Sequence, residues 1–216
     1  DYLLHTSQRE DHPCRALYIR RTKHQINHQQ LFNSEELELL LNRENRYKHL
    51  DSRNKVAISL LIYQGLRSEE LCNVRLSDID LENGFMMVRS THSTNRRILE
   101  LKPKQVLLFD KYINLSRVEL IKGSYNKLLI TKKGVPMCVE TINRMLRPLK
   151  GLFMGRSLNA STIRQSVISN WLNKKNYPLG DVQLLAGHKY PSSTEKYFRE
   201  DVESKRKIIN AFHPLG

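Results

Sequence analysis

The chain has 216 residues, enough for one sizeable domain or for one domain with an arm. Its 39% hydrophobic content supports a core, and its formal net charge of +14 points to a polyanion rather than to an acidic membrane or protein. Cys14, Cys72 and Cys138 form no CxxC pair, no apolar run reaches transmembrane length and no signal peptide opens the chain, so a disulfide framework, a zinc site and a membrane span are not expected. This usage reads as a reduced, cytoplasmic protein, and the leading Asp1 suggests a fragment of a longer chain.

Residues 1–32 show no clean period, and the basic stretch RRTKHQINHQQ (20–30) reads as a linker or arm. NSEELELLLNR (33–43) starts a helix at Asn33 with Glu36 three positions on, as in a capping box. DSRNKVAISLLIYQG (51–65) is apolar nearly all round and should be a buried helix stopped by Gly65. RSEELCNVRL (67–76) begins a second short helix. Residues 84–101 alternate about a polar turn, as in a β-hairpin. Residues 103–123 open with Pro and close with Gly, a well-bounded helix. A short strand and turn are expected at 127–137, and helices at 139–150 (to Pro148), 161–175, 180–187, from Pro191 onward, and at 202–212. The fold class is therefore mainly α with a small antiparallel β-sheet, an α+β arrangement.

The positive charge is unevenly placed. Residues 141–180 contain no Asp or Glu but include Arg144, Arg147, Lys150, Arg156, Arg164, Lys174 and Lys175. A solvated basic surface is the plainer explanation of any one such run. An acid-free stretch this long inside a folded segment favours a nucleic-acid face.

A few residues stand out chemically. Arg67 precedes the helix at 68, where the backbone dipole disfavours a cation but a bound phosphate would welcome one; pairing with Glu69 or Glu70 is the alternative. Arg164 borders the apolar stripe of Ile163, Val167, Ile168 and Trp171 with no acid nearby in sequence, so its partner comes from elsewhere in the fold or from a ligand. His188 follows Gly187 at a helix end, where a plain capping role is equally open. Tyr197 is a packing residue unless cations stabilise its phenolate.

Taken together, GLRSEEL (65–71), TIRQS (162–166) and LAGHKYPSSTEKYF (185–198) resemble the catalytic domain of the tyrosine recombinase (phage integrase) family across residues 33–216. The closing AFHPLG is similar to the tails of Xer-type members, and residues 1–32 would be the linker from an N-terminal DNA-clamping domain. The resemblance implies site-specific recombination of double-stranded DNA, for a mobile element or in the Xer manner. Tyr197 would attack a phosphodiester to give a 3′-phosphotyrosine, with no ATP, metal or other cofactor. Arg67 and Arg164 would clamp the phosphate, and His188 would add a hydrogen bond. The implied assembly is a homo-tetramer on paired sites, with a monomer open to the isolated fragment. Arg89, Arg96, Arg97, Arg144, Arg147 and Arg156 are the expected DNA-binding cations.

Two family positions differ. The second box usually reads His-x-x-Arg, whereas here Ser161 stands three residues before Arg164; a serine hydroxyl donates to phosphate but is no base near neutral pH. The hairpin usually carries a general-acid Lys, whereas residues 84–101 contain none and Thr91 falls near its place. A slow or partner-dependent enzyme is therefore expected. A non-catalytic DNA-binding regulator is the alternative, and a strand relaxer of the type IB topoisomerase kind is a third reading.

Overall fold

A computed structural model describes residues 6, 26–43 and 50–198. Of the arm expected at 1–32 only residues 6 and 26–32 are among these, and the helix expected at 202–212 lies outside them. The chain runs through α1 (Ser34–Asn42), α2 (Asp51–Tyr63), α3 (Ser68–Asn73), β1 (Ile79–Asp80), β2 (Phe85–Val88), β3 (Arg97–Glu100) and α4 (Pro103–Lys111). It continues through α5 (Arg117–Leu120), α6 (Val139–Leu146), α7 (Ala160–Asn173), α8 (Leu179–Ala186) and α9 (Ser192–Glu195).

Helix α2 is the centre of the core. Val56, Ala57, Ile58, Leu60, Leu61 and Ile62 are all buried, so water is excluded around its whole circumference. It packs against α1, α4 and α7. Asn33 and Glu36 form the expected capping box at the start of α1, with both reciprocal bonds at 2.8 Å. At the other end of α2 the chain turns at Gly65, whose φ of +59° suits glycine, and a Cβ there would sit 3.2 Å from Val167 Cγ1 on α7. Glycine therefore lets the α2–α3 turn lie directly on α7.

The sheet has the order β1-β2-β3 and is antiparallel throughout. Val88 pairs with Arg97 and Phe85 with Glu100, so the hairpin expected at 84–101 is present, extended by β1. Strand alternation turns Met86, Val88, Arg97 and Leu99 inward and Phe85, Ile98 and Glu100 outward.

Three expectations are corrected. The helix placed at 103–123 ends at Leu120, and α4 and α5 are separated by a wide π turn at Tyr112–Ser116. The strand placed at 127–137 reduces to isolated bridges, Arg75 with Lys127 and Ile130 with Pro136. Side chains satisfy that backbone instead: Arg117 donates to the carbonyls of Tyr125, Lys127 and Leu128, and the Tyr112 hydroxyl donates to Leu128 O and accepts from Ile130 N. Pro148 does not end the helical path, because α6 tightens into a 3₁₀ segment, Arg147–Leu152, where Pro148 sits at a position with no intrahelical N–H to lose.

Candidate active site

The site forms where α3, β3, α7, α8 and α9 meet. Arg67 is the residue that precedes α3, and its backbone N–H donates to Glu70 Oε2 at 2.9 Å. The Glu70 carboxylate, fully buried, is the anionic hub. Its Oε1 accepts from Arg97 Nη1 at 2.7 Å and from the Thr94 hydroxyl at 2.8 Å, and its Oε2 accepts from Arg97 Nη2 at 2.9 Å. Burial alone would raise the Glu70 pKa, but the Arg97 fork and the other donors outweigh it and hold the carboxyl at about 2.

Arg164 projects from α7 into the same interior. Its Nη1 donates to Gly65 O at 2.6 Å and its Nη2 to Ala186 O at 2.7 Å, so one guanidinium joins the α2–α3 turn to the end of α8. Glu70 Oε2 lies 3.7 Å from Nη1. Burial lowers the Arg164 pKa to about 10, with Glu70 opposing and the charges of Arg97 and Arg67 adding to the fall. It remains a cation at neutral pH. The guanidiniums of Arg97 and Arg164 thus share one carboxylate, the charge of Arg67 acts on Arg164, and the buried Nε atoms of Arg67 and Arg97 make no hydrogen bond. Such an excess of fixed positive charge and idle donors is an anion site.

His188 and Tyr197 complete it. Gly187 ends α8 in the left-handed conformation, with φ +67°, which turns His188 back toward the sheet. Asn95 N donates to Gly187 O at 2.9 Å, and Thr94 bridges His188 through the backbone, so the hairpin tip is tied to this corner. His188 Nδ1 lies 2.8 Å from Thr194 Oγ1, which leaves Nε2 to meet a ligand. Burial first, then the charges of Arg164, Arg67 and Arg97, depress the imidazole to about 4, so it is neutral at pH 7. Its ring stacks near Tyr197, with centroids 6.1 Å apart and planes 14° from parallel. Tyr197 follows α9, and its carbonyl accepts from Asn173 Nδ2 of α7 at 2.8 Å. Burial raises the phenol pKa while Arg164 and Arg67 oppose that rise. The resting tyrosine is therefore a neutral phenol beside two cations.

Arg67, Arg164, His188 and Tyr197, which are up to 130 positions apart in the numbering, are thus brought together. Ser161 is exposed in the first turn of α7, one helical turn before Arg164. Arg96 is exposed in the hairpin connection just before β3, and Arg144 and Arg147 are exposed with Lys150 around a shallow basic concavity. The DNA-facing role expected of Arg97 is corrected: it lies on the inward face of β3, 8% exposed, in a fork on Glu70. Arg89 is exposed but chelates Asp78, and Arg156 pairs with Glu36 and covers the rings of Phe32 and Phe153. Both pair with carboxylates of their own chain. Sequence reasoning missed Glu70, Thr94 and Thr194 as site residues. For Glu70 the available signal was its place three residues after Arg67, on the same side of a helix start.

The chain resembles known proteins in sequence and in fold. The model of the phage integrase family matches residues 30–204. Tyrosine recombinase XerD of Halalkalibacterium halodurans is 30% identical over 183 residues, which is 83% of this chain and 60% of that protein. A tyrosine recombinase of Thermosipho africanus is 32% identical over 146 residues, 67% of this chain and 49% of that protein. This chain thus spans about half to three fifths of the relatives' length. Among solved structures, XerA recombinase superposes with a TM-score of 0.67 at 22% identity, covering 85% of this chain and 65% of that one. XerH recombinase in a post-cleavage complex with palindromic difH substrate gives 0.70 at 20% identity, over 83% of this chain and 51% of that one. Among the described residues no helix is long and apolar enough to cross a membrane. The matched span covers the central helices, the hairpin and all four clustered residues, and the chain belongs to the phage integrase family of tyrosine recombinases, with the fold of their catalytic domain.

Proposed function

We propose that the chain is the catalytic part of a cytoplasmic site-specific recombinase that cleaves and rejoins double-stranded DNA through Tyr197. The observation that carries this reading is the pair of buried guanidiniums, Arg97 and Arg164, around the Glu70 carboxylate, with the Tyr197 phenol under the charges of Arg164 and Arg67. A scissile phosphate seated against Arg67 and Arg164 supplies the missing negative charge. Tyr197 Oη attacks phosphorus, a P–O bond forms to the tyrosine, and the bond to the 5′-oxygen breaks. The electron pair leaves with that oxygen, which takes a proton, and a 3′-phosphotyrosine remains. The phosphoester is conserved in the linkage, so the reverse attack by another 5′-hydroxyl rejoins the strand.

The guanidiniums act because they are fixed before charge develops on the phosphoryl oxygens, and burial keeps solvent from screening them. Neutral His188 donates through Nε2. The phenol proton passes to water as the phosphate draws near, and water protonates the departing 5′-oxygen. Exposed Arg96, Arg144, Arg147 and Lys150 track the duplex backbone, and the working assembly is a homo-tetramer on paired sites. A non-catalytic, DNA-binding regulator is the second reading, favoured by the lysine-free hairpin and by Ser161. Trapping separates the two: a nicked half-site incubated with the protein should give an SDS-resistant adduct that Tyr197→Phe abolishes. Salt-sensitive binding without any adduct would support the regulator.

A further inference from the structure

Arg97 is a buried cation that the proposed chemistry does not use. It comes from β3, whose outward neighbours Ile98 and Glu100 are exposed, so its inward placement follows the strand's alternation. Both of its terminal nitrogens are committed to Glu70, at 2.7 and 2.9 Å. Its position is confined, because a Cβ on Gly187 would lie 2.5 Å from Nη1 and 3.0 Å from Cζ.

A carboxylate has about four acceptor sites. On Glu70 they are taken by the Arg97 fork, the Thr94 hydroxyl and the Arg67 backbone N–H. Arg164 Nη1 is therefore held at 3.7 Å from Oε2, beyond hydrogen-bond reach, and donates to Gly65 O instead. The Arg67 side chain keeps a buried Nε without a partner. If Arg97 were absent, the buried Glu70 anion would stand unpaired 3.7 Å from Arg164, and Coulomb attraction at low dielectric would draw that guanidinium onto it.

We propose that Arg97 is a positioning residue: its fork saturates Glu70 and so keeps the guanidiniums of Arg67 and Arg164 available to a phosphate. The inference rests on the phosphate-binding reading of the site. Arg97 touches no reacting atom. It acts by removing an internal competitor for the two cations that do.

The test uses orthovanadate, a phosphate mimic, as the binding probe, with rates of adduct formation on a nicked half-site measured at saturating DNA. Wild type, Arg97→Met, Arg97→Lys and the double variant Arg97→Met with Glu70→Gln are compared, each with its thermal midpoint and duplex affinity. Arg97→Met should weaken vanadate binding and slow adduct formation by about 100-fold, with duplex affinity within about threefold of wild type. Adding Glu70→Gln removes the competitor and should recover at least roughly tenfold of each loss. Arg97→Lys, which retains the charge, should fall between wild type and Arg97→Met. The double variant leaves no unpaired buried carboxylate, and its thermal midpoint and that of Arg97→Lys separate a folding loss from a loss at the site even if Arg97→Met folds poorly. Arg97→Met binding vanadate as wild type does, or a double variant as weak as Arg97→Met, would overturn the inference. Wild-type protein that binds vanadate but forms no adduct would overturn the cleavage reading alone, and wild-type protein that ignores vanadate would overturn both.

Discussion

The chain places its cations in two settings that differ in what surrounds them. Arg97 and Arg164 are buried, tied to Glu70 and to backbone carbonyls across three elements. Arg144, Arg147 and Lys150 are exposed on α6 and the 3₁₀ segment after it. A buried guanidinium is fixed and unscreened, so it discriminates between a ground state and a transition state. An exposed one is mobile and screened by salt, so it contributes affinity and little selectivity. Net charge alone cannot distinguish the two, although both contribute to it.

The largest expected effect falls on the interior. Arg164→Ala should cost about 3–5 kcal/mol of stability, because it leaves the carbonyls of Gly65 and Ala186 without their donor and Glu70 with less positive charge around it. The same change should slow adduct formation by about 10²–10³-fold, measured on protein kept well below its melting midpoint.

Acid should expose the same interior. Glu70 is held at about 2 against an ordinary 4.5, so its contribution is complete above pH 4.5 and is lost as pH falls toward 2. His188 is held at about 4 against 6.5, so it favours the folded state fully above pH 6.5 and progressively less down to 4. Both act in one direction, and the melting midpoint should fall on acidification from neutral pH. Each contribution is roughly 3 kcal/mol at full strength. His188→Gln should flatten the pH 6.5–4 portion and Glu70→Gln the portion below 4.5, as read by thermal melts across that range.

The smallest effect belongs to the surface. Replacing Arg144, Arg147 and Lys150 together with Ala should leave the melting midpoint nearly unchanged. It should reduce the salt dependence of duplex binding by up to about 0.9 in log–log slope for each lost phosphate contact. A large drop in stability from that triple change would erase the distinction between the two settings.

Much of the architecture was legible because local chemistry and the fold agree. Asn33 with Glu36, Gly65 after a helix apolar nearly all round, and the alternation of 84–101 each produced the element expected. The four clustered residues were legible through their motif spacing rather than through any one of them. The tertiary partners were not. Arg97 reads as a hairpin cation until its alternation with Leu99 and Leu101, both buried, is taken seriously, and Glu70 reads as an ordinary first-turn acid. The segment at 127–137 resembles a strand by composition, yet side chains from the preceding helical stretch, Arg117 and Tyr112, satisfy its backbone. Side chains that substitute for a ladder leave no periodic trace.

The most direct measurement is to trap the protein on a nicked half-site, digest the DNA with nuclease and the protein with protease, and locate the added mass by mass spectrometry. A phosphonucleotide on the peptide carrying Tyr197, bonded at that residue, is the expected result. The same mass on another residue, or an unmodified Tyr197 peptide from protein that had bound the DNA, would contradict the assignment of Tyr197 as the nucleophile.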